Sequence, residues 1–189
     1  MNMRDPFELN RETLSKRALL ESADAAPTAL EIGLIEAAIT RVGRAVPKVL
    51  LLGRRAVRLA ADVDRLGGMA LCMDIAPVSG AARSVLADAR ALPFKRDLFD
   101  ICLVGRLFSY VPGADRERVA LSLRDHLRPG GLLVVTADPD GEPGIVETDY
   151  GDVWRSPVVV DDFAELLNTL DFDLLEADPA GQMTFRREY

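Results

Sequence analysis

The chain has 189 residues, enough for one domain with a sizeable core. Hydrophobic residues make up 49% and charged residues 28%, and 23 basic against 30 acidic side chains give a formal net charge of −7. That balance argues against a general nucleic-acid binder, no apolar run reaches the length of a membrane span, and the opening MNMRDPFELNRE lacks the apolar centre of a signal peptide. A cytoplasmic location is therefore expected. Cys72 and Cys102 fall in apolar runs and read as core thiols of a reducing compartment, with no second ligand cluster to suggest a disulfide or a metal pair.

Residues 1–46 read as a helical extension to an α/β domain spanning 47–189. Thr28 and Glu31 have the spacing of a capping box after Pro27. Leu34, Ile35, Ala38 and Val42 then line one face, and Gly43 with Pro47 stops the helix. A weaker helix is expected over roughly 11–22, with Leu14, Ala18 and Leu19 inward. These helices are expected to cover an edge or face of the sheet; a dimer or partner surface is the sharper alternative.

From Val49 to Leu52 the chain is apolar, and Gly53 breaks the strand. Val57, Ala60, Val63 and Leu66 then fall at helical spacing, Gly67-Gly68 ends the helix, and a second strand, Met69 to Met73, closes on Asp74. In such a unit backbone N–H groups and a helix N-terminus face a ligand, and the acid accepts ribose hydroxyls. Only about a dozen residues, with Pro77 and Gly80 among them, separate Asp74 from Asp88, so a truncated helix or irregular link is expected there.

In VLADARALPFKRDLFDICLV, Asp88 is expected to end a third strand at the ligand edge, with a turn cap as the alternative. Leu92, Phe94 and Phe99 read as buried, and Asp100 as a local polar turn before the strand Ile101–Val104. Gly105-Arg106 follows at the carboxyl edge, where open α/β sheets bind ligands. Asp115 is expected to cap a helix with Val119, Leu123 and Leu127 inward. His126, the only histidine, reads as a partly exposed side chain rather than a general base. Pro129-Gly130-Gly131 turns into a strand from Leu132 to Thr136. Residues 138–157 are expected as a turn-rich loop able to act as a lid; its acids do not match a calcium loop because Gly141 is misplaced. Tyr150 and Trp154 either line a substrate or partner pocket or pin that loop to the body. Asp162 with Glu165 is expected to cap a last helix, and Phe172–Ala177 and Met183–Arg187 to form a hairpin.

Taken together, the strand–Gly53–helix–strand–Asp74 unit, Leu92-Pro93-Phe94 with Phe99-Asp100, the Pro-Gly-Gly turn and the terminal hairpin resemble a class I S-adenosylmethionine-dependent methyltransferase of the type 11-like kind, over roughly 48–189. The resemblance implies a Rossmann-like α/β fold: a mostly parallel seven-stranded sheet, a C-terminal antiparallel hairpin and helices on both faces. It implies cofactor contacts at Gly53, Asp74, Asp88, Ala89 and Arg106, and it singles out no catalytic residue. This chain departs from the family pattern in its glycine loop. The first-strand acid falls on Leu51, the second and third glycines fall on Arg55 and Val57, and Arg54 also sits in the loop. Like charges about 4 Å apart repel by roughly 4 kcal/mol at an effective dielectric of about 20, so arginines there oppose a sulfonium.

The leading expectation is a non-catalytic binding or regulatory subunit with no cofactor, pairing with a protein partner or itself through the N-terminal helices. The second is an active enzyme that uses S-adenosylmethionine on a small molecule or protein through a remodelled loop. In a third, Arg54 and Arg55, with Arg106, bind a phosphate-bearing anion; a solvated first helical turn is the plain account of those arginines. Neither a membrane nor nucleic acid is expected as a partner.

Overall fold

The apolar run after Pro47 forms β1, Lys48–Leu52, and in the computed structural model of the chain Val49 to Leu52 are all fully buried. The structure describes residues 6, 8–13, 28–75, 83–148 and 151–189, with the side chains of Arg54 and Arg55 left out. Side chains of β1 alternate between two cores. Leu50 and Leu52 face one that includes Phe108, Leu123, Phe163 and Phe185; Val49 and Leu51 face another that includes Ile35, Ala38, Val63 and Val134. A strand buried on both faces has no solvated side, so it reads as a continuous apolar run.

The second core belongs to α1 (Ala29–Val42), α2 (Arg54–Val57) and α3 (Ala60–Arg65). The first belongs to α4 (Gly113–His126) and α5 (Val160–Asn168). Between them lies a seven-stranded sheet among the described residues, ordered β3-β2-β1-β4-β5-β9-β8. Its members are β2 (Met69–Asp74), β3 (Ser84–Leu86), β4 (Phe99–Gly105), β5 (Leu127–Thr136), β8 (Phe172–Ala177) and β9 (Gln182–Arg187), with β1 near the centre. All pairings are parallel except those of β9, which runs antiparallel to both β5 and β8. This is the expected architecture, and strand order reverses between β1 and β4.

α1 has the expected capping box: Glu31 N–H donates to Thr28 Oγ1 at 3.2 Å, and Thr28 N–H donates to Glu31 Oε2 at 2.8 Å. The helix lies against β4 and β5, so it covers a face of the sheet. The single helix expected after Gly53 is two short pieces, broken at Arg58-Leu59; it buries Ala56 and Leu59 besides Val57 and Val63, and leaves Ala60 and Leu66 partly exposed. Neither Asp115 nor Asp162 is a cap. Pro112, with φ fixed near −54°, starts α4 earlier, and α5 starts from Val159; both acids sit in the first turn, where they complement the helix dipole. The Pro-Gly-Gly segment is an irregular start to β5 rather than a free turn. Gly131 is required there, because a Cβ would stand 2.8 Å from Arg128 O. The link after Asp74 falls largely on 76–82, and most of the early helix falls on 14–27, both outside the described residues.

Two polar residues change role. Asp100 is not a local turn: it is 3% exposed, its Oδ2 accepts Lys48 N–H at 2.8 Å, and its Oδ1 accepts Arg128 Nη1 at 3.0 Å with Arg44 Nε at 3.1 Å. It fastens the starts of β1, β4 and β5 to the end of α1. His126 is buried, its ring nitrogens 2.7 Å from Ser122 O and 3.0 Å from Phe94 O, so it ties the end of α4 to the loop before β4.

Asp100→Ala is expected to cost about 2–3 kcal/mol in urea unfolding, since it strands a buried N–H and two guanidinium groups; Arg44→Ala, half-exposed, is expected to cost less than about 1 kcal/mol. Burial pushes the Cys72 thiol up to about 11, with Arg83 pulling the other way, and it raises Cys102 as well. Both thiols are expected to resist a disulfide reagent at about pH 8 until the chain unfolds. A raised thiol pKa contributes stability that is complete below about pH 9, the ordinary value, and lost as pH rises toward about 11. Urea midpoints measured across that window are expected to fall.

Candidate functional site

The reversal of strand order sets the carboxyl ends of β1 and β4 side by side. Gly53 leaves β1 at φ 80°, its N–H donating to Met73 O at 3.1 Å. A Cβ at Gly53 would stand 2.8 Å from Gly105 O, so this glycine is required by backbone contact alone. The chain coils at once, α2 starting at Arg54, and Ala56 and Val57 are buried against the α1-side core. The backbone of Arg54 and Arg55 opens that turn, but the anion reading rests on their side chains and lies outside the described residues. Leu51 is fully buried in the same core as Ile35 and Ala38. A void of about 10 Å³ lies among Glu31, Leu34, Ala56, Leu59, Leu103, Gly105 and Thr136, at the limit for one water.

Asp74 ends β2 at this edge, half-buried, and its carbonyl accepts Ala87 N–H at 3.1 Å. Asp88 does not end a strand, because β3 stops at Leu86. Its carboxylate accepts the backbone N–H of Arg90 at 2.8 Å and is forked by the Arg90 guanidinium, with Nε at 3.0 Å and Nη2 at 2.9 Å from Oδ2. This is the turn-cap arrangement with an ion pair added. Ala89 is 3% exposed and belongs to the core with Leu92 and Phe99.

Arg106 follows β4 in the left-handed region, φ 57°, a conformation that costs on the order of 1–3 kcal/mol for a non-glycine residue. Its N–H donates to Thr136 O at 2.7 Å, and its Nε lies 3.2 Å from Asp138 Oδ1. Asp138 also accepts Arg155 Nη2 at 2.6 Å, and its own N–H donates to Ser109 Oγ at 2.9 Å. Asp138 thus joins three segments at the carboxyl edge. The sequence marked it only as the start of a loop, although an acid placed directly after the fifth strand was a signal.

Residues 138–157 are not a plain loop. Two antiparallel strands, β6 (Gly144–Thr148) and β7 (Gly151–Arg155), form a separate hairpin, Ile145 facing Trp154 across it. Here β-branched residues around a glycine outweigh the turn formers. Asn10, 1% exposed, clamps the hairpin: its Nδ2 donates to Tyr110 O at 2.8 Å and Trp154 O at 3.0 Å, and its Oδ1 accepts Trp154 N–H at 2.6 Å. Thr13 Oγ1 adds a bond to Asp152 O at 2.7 Å, and Arg116 Nη2 holds Pro157 O at 2.8 Å. Burial lowers the Arg116 pKa. Asn10 and Thr13 were not singled out by the sequence, since their partners lie far along the chain. Trp154 is half-buried on the clamped hairpin; Tyr150 lies outside the described residues. Gly53, Asp74 and Arg106 share the edge, while Asp88 and Ala89 are held in local and core contacts.

A methyltransferase-domain family model matches residues 51–135. No curated protein sequence matches the chain. The Burkholderia thailandensis 1,6-didemethyltoxoflavin-N1-methyltransferase, solved with 1,6-didemethyltoxoflavin and S-adenosylhomocysteine, superposes with a TM-score of 0.72 at 18% identity, over 100% of this chain and 93% of that one. The N-methyltransferase NodS from Bradyrhizobium japonicum WM9, in complex with S-adenosylhomocysteine, gives 0.64 at 17% identity, over 95% of this chain and 100% of that one. The [4+2]-cyclase SpnF gives 0.62 at 16% identity, over 89% and 84%. Residues 51–135 thus resemble a methyltransferase domain, and the chain shares its seven-stranded Rossmann-like fold with these structures.

Proposed function

We propose that this protein is a non-catalytic binding or regulatory subunit on the methyltransferase fold, one that does not take S-adenosylmethionine in the ordinary way. The observation that carries this reading is the backbone after Gly53: it coils immediately into α2, with Val57 buried, where an open glycine loop would admit a cofactor. Two further features support it. Leu51, at the position of the family acid, faces the α1-side core and offers no charge to an ammonium group. The Asp88 carboxylate is already forked by Arg90. The donor set therefore fits the cofactor poorly at both the amino-acid and adenine ends, while Asp74 retains the ribose position. The similarity to a structure named as a [4+2]-cyclase supports a fold not tied to methyl transfer.

The second reading is an active S-adenosylmethionine-dependent methyltransferase. It is favoured by Gly53 and Asp74 standing together at the carboxyl edge, and by two similar structures holding S-adenosylhomocysteine, one of them beside a small heterocyclic compound. Methyl transfer needs chiefly positioning, so it does not require a dedicated base.

Calorimetric titration separates the two. S-adenosylmethionine and S-adenosylhomocysteine are expected to bind no tighter than about 1 mM, roughly −4 kcal/mol; a micromolar Kd for either establishes the second reading. Trp154 is the only tryptophan, so its fluorescence reports on the hairpin. Asn10→Ala, which strands three backbone groups, is expected to red-shift that emission, speed proteolysis within 138–157 and cost about 2 kcal/mol in urea unfolding.

A further inference from the structure

At the other end of the sheet from Gly53, a cavity of about 250 Å³ opens between the end of α1, the glycine-rich start of β5 and the β8–β9 edge. Four arginines line it, Arg41, Arg44, Arg128 and Arg186, against a single carboxylate, Asp100. That carboxylate is saturated. Lys48 N–H takes one oxygen, and Arg128 and Arg44 share the other. Arg44 meets it through Nε, and Arg128 donates through Nε to Asp97 O and through Nη1 to Asp100. Each guanidinium has further donors in its planar fork. Arg41 and Arg186 pair outward with Glu176 and Asp173, both exposed acids, the second at 3.8 Å. Exposed pairs of this kind hold weakly and exchange with competing anions.

Four guanidinium groups thus line the concavity with one carboxylate among them, while Glu176, Asp173 and Glu188 at its rim offset part of that charge. The carbonyl end of α1 opposes this with only about half a negative charge. Leu132 and Leu175 form an apolar wall, and nothing lies within 4 Å of where a Gly130 Cβ would stand, so the β5 side of the cavity is open. Planar forks converging on one space match the oxygens of a phosphate, which they bind bidentately.

We propose that this cavity binds a phosphate-bearing small molecule, gripped by Arg44, Arg128 and Arg186. The site is independent of the cofactor edge and of whether S-adenosylmethionine binds there.

The test is thermal unfolding in sodium pyrophosphate and in orthophosphate, against sodium chloride at equal ionic strength, followed by calorimetry. Millimolar pyrophosphate is expected to raise Tm by at least about 2 °C over the chloride control. Arg44→Ala with Arg186→Ala, both at half-exposed positions, is expected to abolish the rise and weaken the Kd at least roughly tenfold, the loss of a charged fork. Replacing both by lysine keeps charge and fold but is expected to weaken binding by less. Arg54→Ala with Arg55→Ala is expected to leave the rise intact. No rise beyond chloride overturns the proposal; so does a rise that survives the Arg44 and Arg186 substitutions, or one that vanishes with the Arg54 and Arg55 pair.

Discussion

Burial of β1 on both faces is the constraint on which the rest of this structure depends. Val49 to Leu52 have no exposure, so each must meet an apolar partner above or below the sheet. That demand brings α1 and α3 onto one face and α4 onto the other, and it fixes β1 between β2 and β4 with their carboxyl ends level. It also bears on chemistry. Leu51 strengthens the α1-side core, yet it occupies the place where the family carries an acid. At this position stability and cofactor recognition ask for opposite kinds of side chain.

What the sequence made legible was local or periodic. The Thr28–Glu31 box needs only residues three apart, and the apolar runs of β1, β4 and β5 declare burial on both faces without any knowledge of partners. Gly53 and Gly131 declared turns, although the reason for each, a carbonyl pressed within 2.8 Å of a would-be Cβ, came only with the fold. The failures were of two kinds. Asp115 and Asp162 have the composition of caps, but Pro112 and Val159 begin their helices earlier, so the backbone settles a choice that side-chain preference leaves open. Asp100, Asn10 and Asp138 are hubs whose partners lie far along the chain, and no spacing rule reaches that distance.

The two candidate sites lie at opposite ends of the sheet. At the carboxyl end lie Gly53 and Asp74, an early helical turn, an arginine in a left-handed conformation and a hairpin clamped by Asn10. The amino end holds the saturated Asp100 and a ring of guanidinium groups around open space.

The position of β9 has a consequence for biosynthesis. It lies between β5 and β8, antiparallel to both. As the polypeptide leaves the ribosome β8 precedes β9, so β8 has no seat in the sheet, and the flank of β5 stays bare, until β9 slots between them. A bare strand flank is where nascent chains stick to one another. For this protein that flank is covered only once β9 is available to pair with both β5 and β8.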